Sequence, residues 1–282
     1  MKKDHIAGIF TRAAPIYDQV AFKFFSYFGK RLVELMEIPP RVKVLDVAAG
    51  RGASLFPASE QIGPEGSVIG INISEGMVKE TTNEIISRGF SNATMIQMDA
   101  ENLIYPNNSF DIILCGFGIF FFPQCNKALR ETWRVLKPNG QIGISTFYHI
   151  EDANSTRLRE RINKAIRKYL PPPLKQEIQQ KNKAPIFDTQ EGMQRLLSSA
   201  NFRKIRCIIE EKEFLCPNIE EYWNYMWSVF WRAQLEKIPS EKHDLLKDEI
   251  TTIFNEFKRE DGLHNTISVL FTFGKKYTFK RI

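Results

Sequence analysis

An α/β fold, a parallel sheet covered by helices on both faces, is predicted from three features of residues 42–148. Five short apolar runs occur in order, each of strand length. Helical stretches separate them, notably residues 75–88 and 126–136. A glycine-bearing turn follows the first run directly, at Gly50 and Gly52. Strands that alternate with helices bury a parallel sheet between two helical layers.

The elements follow in sequence order. Residues 42–47 read Val-Lys-Val-Leu-Asp-Val, the first buried strand. Residues 67–73, 94–98, 110–115 and 141–147 give the second to fifth. Lys137-Pro138-Asn139-Gly140 stops the preceding helix and turns the chain. Residues 156–169 form a basic amphipathic helix, and 189–200 another with Asp188 as its cap. Residues 203–215 are strand-like. Residues 220–236 carry Tyr222, Trp223, Tyr225, Trp227, Phe230 and Trp231 on one helical pattern. Residues 240–258 make a further helix, and 267–273 alternate into a final strand.

Composition narrows the class. A chain of 282 residues with 43% hydrophobic and 26% charged residues is an ordinary globular protein, not a disordered one. No run of 18 apolar residues exists, so no spanning helix is expected. Met1-Lys2-Lys3-Asp4-His5 is not an apolar signal core, and a cytoplasmic protein is expected. The net charge of +6 is a mild excess, attributed to a solvated surface. Cys115, Cys125, Cys207 and Cys216 form no C-x-x-C pair, so neither a disulfide scaffold nor a metal site is expected.

The turn after the first strand is neither of the common phosphate cradles. Gly50 and Gly52 are present, but Leu55 stands where a dinucleotide fingerprint has its third glycine, and no Gly-Lys-Ser/Thr follows. Asp46 would repel a pyrophosphate and attract a cationic group. The second strand ends at Asn72, where such sheets meet a ribose; its amide oxygen could accept from the hydroxyls. The third ends at Asp99, a potential acceptor for an exocyclic amine. The fourth ends at Gly116-Phe117-Gly118. Four strand ends thus offer ligand-facing residues along one rim.

These motifs, in this order, resemble the class I S-adenosylmethionine-dependent methyltransferases, particularly the ubiquinone/menaquinone biosynthesis group. The resemblance covers about residues 9–148. It is carried by residues 10–18, 44–52, 70–77, 99–106, 109–111, 116–118 and 128–140. It implies a Rossmann-like sheet of seven strands, mostly parallel with the last antiparallel. It implies one domain over 1–282: an N-terminal helical cover at 1–40, a cofactor-binding core at 41–148, and a C-terminal half at 149–282. That half would carry an acceptor-side helical insertion at about 219–260. The cofactor would be S-adenosylmethionine. Ala48, Gly50, Arg51 and Gly52 would wrap its methionine part, Asn72 the ribose, and Ile73, Met77, Asp99 and Ala100 the adenine. Gly116 would lie near the sulfonium, with Tyr17 over it. Asn72 departs from the family's usual acid.

Methyl transfer from a sulfonium needs positioning more than proton transfer, so a missing catalytic dyad is no objection. His149, after the fifth strand, is the candidate base; His5, His243 and His264 read as surface residues. Phe117 and Phe121, within the run to Phe122, are a candidate floor for a flat apolar acceptor. Trp223, Trp227 and Trp231 recur at i, i+4 and i+8, a candidate lid, with Tyr222 and Tyr225 as polar handles. No Asp/Asn-Pro-Pro-Tyr/Phe motif marks an amino-methylating enzyme of DNA or protein glutamine, and no appended RNA module is visible. A small, largely apolar, aromatic or polyketide-like acceptor methylated at O, N or C is therefore expected. RNA, or a non-catalytic cofactor-binding or partner-binding subunit, is the alternative.

Overall fold

A computed structural model describes residues 3–148, 153–171 and 186–277. Its centre is a seven-stranded sheet in the order β3-β2-β1-β4-β5-β7-β6. The strands are β1 (Lys43–Val47), β2 (Ser67–Asn72), β3 (Ala93–Gln97), β4 (Phe110–Gly116), β5 (Leu136–Phe147), β6 (Phe202–Cys216) and β7 (Leu263–Lys276). β1 runs parallel to β2 and β4, with Val44 opposite Val68 and Ile112. β7 lies antiparallel between β5 and β6, pairing Ser145 with Phe271 and Cys207 with Thr272. The mostly parallel sheet with an antiparallel last strand is thus as expected.

Alternation along the strands builds two cores. Val44, Val68, Ile112 and Leu114 face one side and pack with Phe28 and Leu32 of α2 (Phe24–Met36) and with Leu55 of α3 (Leu55–Ile62). Leu45, Ile71, Ile113 and Cys115 face the other. They pack with Leu129 of α5 (Cys125–Val135) and Leu197 of α7 (Gln190–Ser199). Each fully buried aliphatic or aromatic side chain contributes about 1.5–3 kcal/mol. Both faces are covered, which is why these strands read as unbroken apolar runs. The cap of α7 is Thr189, one residue later than expected; its side chain accepts from Gly192 N–H at 3.1 Å.

α1 (Lys3–Ala13) packs on α4 (Glu75–Ser87), where Thr11 and Ser74 hydroxyls meet at 2.9 Å. α6 (Ala153–Tyr169) packs on α10 (His243–Phe257). The aromatic helix predicted over 220–236 is broken. α8 (Ile219–Ser228) ends where Val229 becomes extended, and a short α9 (Arg232–Leu235) follows. No helix among the described residues is long and apolar enough to cross a membrane.

Candidate functional site

The turn after β1 is shaped by left-handed backbone at Ala48, Gly50 and Gly52, with φ of 58°, 55° and 81°. Glycine reaches this region without steric cost, and a non-glycine there stores strain. A side chain at Gly52 would strike the Phe56 ring, so this glycine serves helix packing. At Gly50 only the Ala48 carbonyl oxygen, at 3.9 Å, approaches the place a Cβ would take, so this face opens to the cleft. Thr81 Oγ1–H donates to the Gly50 carbonyl at 2.8 Å and holds the turn.

A cleft of about 80 Å³ lies at this rim. Of the expected cofactor residues, Tyr17, Ala48, Gly50, Asn72, Ile73, Met77, Asp99, Ala100 and Gly116 line it, as do Phe117 and Phe121. Asp46, Arg51 and Gly52 do not. Asp46 is fully buried at the end of β1. One carboxylate oxygen accepts from Ser54 Oγ–H at 2.8 Å and the other has no partner among the described residues. Burial pushes its carboxyl up to about 7 against the Ser54 bond, which pulls it down. Arg51 was expected to wrap the ligand, but its guanidinium is turned inward. Nη1 donates to the Ala14 carbonyl at 2.6 Å and Nη2 meets Glu84 at 3.2 Å, fastening the turn to the segment after α1.

Asn72 also differs from expectation. Its amide oxygen accepts from Ser74 N–H at 2.9 Å, and Ser74 caps α4 by accepting from Met77 N–H. The oxygen expected to meet the ribose thus has one lone pair on Ser74, and its second lone pair and the amide N–H groups remain available. Asp99 is held from three sides. Lys3 Nζ donates at 2.6 Å, Glu101 N–H at 2.9 Å and Asn102 Nδ2 at 2.9 Å. Burial opposes its ionisation, yet these bonds together keep the carboxyl below the usual range. Lys3, which also meets the buried Glu101 at 2.5 Å, gave no sign in the sequence.

A second cavity of about 1130 Å³ adjoins the first. Phe10, Tyr17, Phe117 and Phe121 line both, so the two spaces share a wall. Phe117 has a φ of 53°, rare for a bulky residue; its N–H donates to the Ser145 carbonyl at 3.0 Å. Phe121 stands edge-on to Phe10 at 5.0 Å and packs on Phe230 at 5.2 Å. Phe22, Phe24 and Phe25, at the start of α2, add a wall that the dense Phe run at 22–28 could have announced. From the insertion come Tyr222, Tyr225, Phe230 and Trp231.

Trp223 and Trp227, expected in the lid, lie outside this lining. Helix phase is the reason: Tyr222 and Tyr225 take the inner face, and Trp223 and Trp227 are rotated away from it. Trp227 packs edge-on to Trp223 at 6.2 Å and to His243 at 5.4 Å, with the Arg232 guanidinium over its ring at 5.4 Å. Because α8 breaks, Trp231 leaves the stripe and lines the chamber. His149 lies outside the described residues. His264 is at the chamber wall rather than simply on the surface, but Asp261 at 2.8 Å and Glu213 at 2.9 Å take its two nitrogens. Those carboxylates raise its pKa, so it is a weak candidate base. Among the described residues no cluster of three His, Cys, Asp or Glu could hold a metal ion.

The model of the ubiE/COQ5 methyltransferase family matches residues 1–170. Three curated relatives are similar over about half of the chain. Aklanonic acid methyltransferase DauC of Streptomyces sp. (strain C5) is 35% identical over 144 residues, 51% of this chain and 66% of its own length. Nocamycin O-methyltransferase of Saccharothrix syringae is 38% identical over 137 residues, 49% of each chain. Demethylmenaquinone methyltransferase of Listeria monocytogenes serotype 4a (strain HCC23) is 34% identical over 145 residues, 50% of this chain and 61% of its own. The matched stretch is thus under two thirds of each relative's length. Among solved structures, the YcgJ protein of Bacillus subtilis has a TM-score of 0.57 at 18% identity, covering 89% of this chain and 99% of its own. Phosphoethanolamine N-methyltransferase 2 of Haemonchus contortus has a TM-score of 0.54 at 16% identity, covering 89% and 53%. At these identities the two structures share the fold.

Proposed function

Because the chain belongs to the ubiE/COQ5 methyltransferase family, we propose that it is an S-adenosylmethionine-dependent methyltransferase acting on a small, largely apolar, aromatic or polyketide-like acceptor. The accepting atom is O, N or C, and the setting is the cytoplasm. The observation that carries this reading is the shared wall: a small cleft adjoins a large chamber across the rings of Phe10, Tyr17, Phe117 and Phe121.

The residues of the cleft suit the cofactor. Gly50 leaves room for a ligand at its open face, Ile73 and Met77 offer apolar contacts for a base, and Asp99 offers a carboxylate at the edge. Asn72 presents its amide at the ribose position. Asp46, one of whose oxygens has no partner, is buried at the end of β1 and does not line the cleft. When bound, the cofactor supplies a methyl group on a positively charged sulfur. Phe117 and Phe121 exclude water at the junction and fix the acceptor's plane. Holding two reactants at near-attack distance supplies roughly 7–11 kcal/mol of the barrier. The relatives named for aklanonic acid, nocamycin and demethylmenaquinone support a small-molecule acceptor.

Titration calorimetry with S-adenosylhomocysteine tests the reading. One site per chain is expected. Absence of both heat and a thermal shift at millimolar ligand would remove it.

A further inference from the structure

The chamber wall changes character along β7, and strand register gives the distances. Gly116, in the lining of the cleft, lies opposite Ser145, and Ser145 lies opposite Phe271 of β7. Two residues further along the pair, Phe147 stands opposite Val269, roughly 7 Å from that row. The Phe147 ring packs on Phe117 at 4.9 Å and on Phe120 at 6.0 Å, and all three line the chamber. Close to the cleft the wall is therefore aromatic.

β5 ends at Phe147, while β6 and β7 continue as a pair. There Ser268 lies opposite Glu211 and Thr266 opposite Glu213, with His264 two residues beyond. Directly opposed and alternate residues share one face of a sheet, so these five form a single polar face, and all five line the chamber. Counted along β7 from Phe271, the face begins roughly 10 Å from the Gly116 row and ends roughly 24 Å from it. The side chains of Glu211, Thr266 and Ser268 make no hydrogen bond or ion pair with a described residue. Tyr148, whose N–H donates to the Ser268 carbonyl at 2.9 Å, adds a ring where the polar face begins.

Charge at this end is balanced. Arg157, Arg159 and Arg259 line the chamber against Glu211, Glu213 and Glu256. Arg259 meets Glu213 at 3.1 Å, and Arg161 takes Glu256 at 2.7 Å. Such a set offers many donors and acceptors without an excess of either sign. It matches a neutral ligand whose hydroxyls both donate and accept better than it matches an ion.

We propose that the acceptor is bipartite: an aromatic part at the shared wall, and beyond Phe147 a neutral polyhydroxylated group of the sugar type. The hydroxyls of that group bond to Glu211, Thr266 and Ser268, and its C–H face rests on Tyr148. A chamber of about 1130 Å³ has room for both parts. This rests on the methyltransferase reading and adds a polar end to the acceptor.

The test is a binding measurement. A naphthyl ring in the chamber quenches tryptophan emission, with Trp231 in the wall as the nearest reporter. The protein, with and without saturating S-adenosylhomocysteine, is titrated with 2-naphthol, 2-naphthyl β-D-glucoside and 2-naphthyl sulfate. The glucoside is expected to bind roughly tenfold more tightly than 2-naphthol, the worth of one or two hydrogen bonds, and the sulfate no more tightly than 2-naphthol. Glu211→Ala combined with Thr266→Val should bring the glucoside to the affinity of 2-naphthol and leave 2-naphthol binding unchanged. A wild-type glucoside no better than 2-naphthol overturns the proposal, whether or not the variant folds. So does a sulfate that binds more tightly than the glucoside, or a glucoside preference that survives in the double variant. Failure to bind S-adenosylhomocysteine is read separately by calorimetry and concerns the methyltransferase reading instead.

Discussion

The two cavities are walled by different materials. Along one edge of the small cleft the wall is turn backbone and short side chains, set by hydrogen bonds such as Thr81 to Gly50 and Ser74 N–H to Asn72, with apolar side chains such as Ile73 and Met77 also in its lining. The chamber has stacked and edge-on rings drawn from α1, the segment before and start of α2, the turn after β4 and the insertion, together with polar and charged side chains such as Arg157, Glu213, Glu256 and Arg259. A hydrogen-bonded turn has few acceptable alternatives, and one substitution ruins it. A ring-lined wall can be repacked with another ring or a Leu at modest cost. The cleft should therefore respond steeply to mutation and the chamber by degrees.

The largest effect is expected at Gly50→Val. A β-branched residue at a φ of 55° is strained, and its side chain fills the open face. S-adenosylhomocysteine affinity should fall roughly a hundredfold or more, read by calorimetry. A small loss would mean that this backbone is not what confines the ligand.

Next is a pH effect on stability. Asp46 is raised from 3.8 to about 7 by burial, so the folded protein holds this proton more tightly than the unfolded chain. Its contribution is fully present below about pH 4 and is lost as the pH rises toward 7. Asp18, raised to about 6 mainly by burial, acts in the same direction. Urea midpoints should fall between pH 4 and 7. In Asp46→Asn the slope between pH 4 and 6 should fall to about half, and what remains should end near pH 6.

Trp227→Ala separates packing from recognition. It should cost about 2–3 kcal/mol of stability, since the ring packs against Trp223, His243 and Arg232. Affinity of the chamber for 2-naphthol should stay within about twofold once folded protein is counted. A large affinity loss would return Trp227 to the acceptor wall.

The smallest effect is expected at Asn72→Asp. One carboxylate oxygen keeps the Ser74 N–H, and the second offers a charged acceptor to a ribose. S-adenosylhomocysteine should bind more tightly by about 1 kcal/mol. Weaker binding would show that the amide N–H of Asn72 is itself the useful group.

The same contrast explains what could be read in advance. The strand ends of the cleft all fall within residues 46–118, one short stretch of chain, although the sheet sets them side by side in the order β3-β2-β1-β4. Glycines at fixed places after a strand constrain backbone directly. The chamber depends on helix phase and on where a helix breaks. The i, i+4, i+8 spacing of the tryptophans assumed a helix continuous through 231. Val229 interrupts it, so Trp231 faces inward while Trp223 and Trp227 do not. Arg51 and Asn72 misled for another reason. The Arg51 guanidinium is turned to Ala14 and Glu84, and the Asn72 oxygen accepts from Ser74 N–H, contacts that sequence spacing does not reveal.

Helix α1 and the segment after it are anchored at both cavities. Lys3 grips Asp99 beside the cleft, Arg12 forms an ion pair with Glu236 of the insertion at 2.5 Å, and Phe10 and Tyr17 belong to both walls. Were both cavities to take ligands as proposed, any coupling carried through this segment would be reciprocal: whatever factor the first ligand imposes on the second, the second imposes on the first.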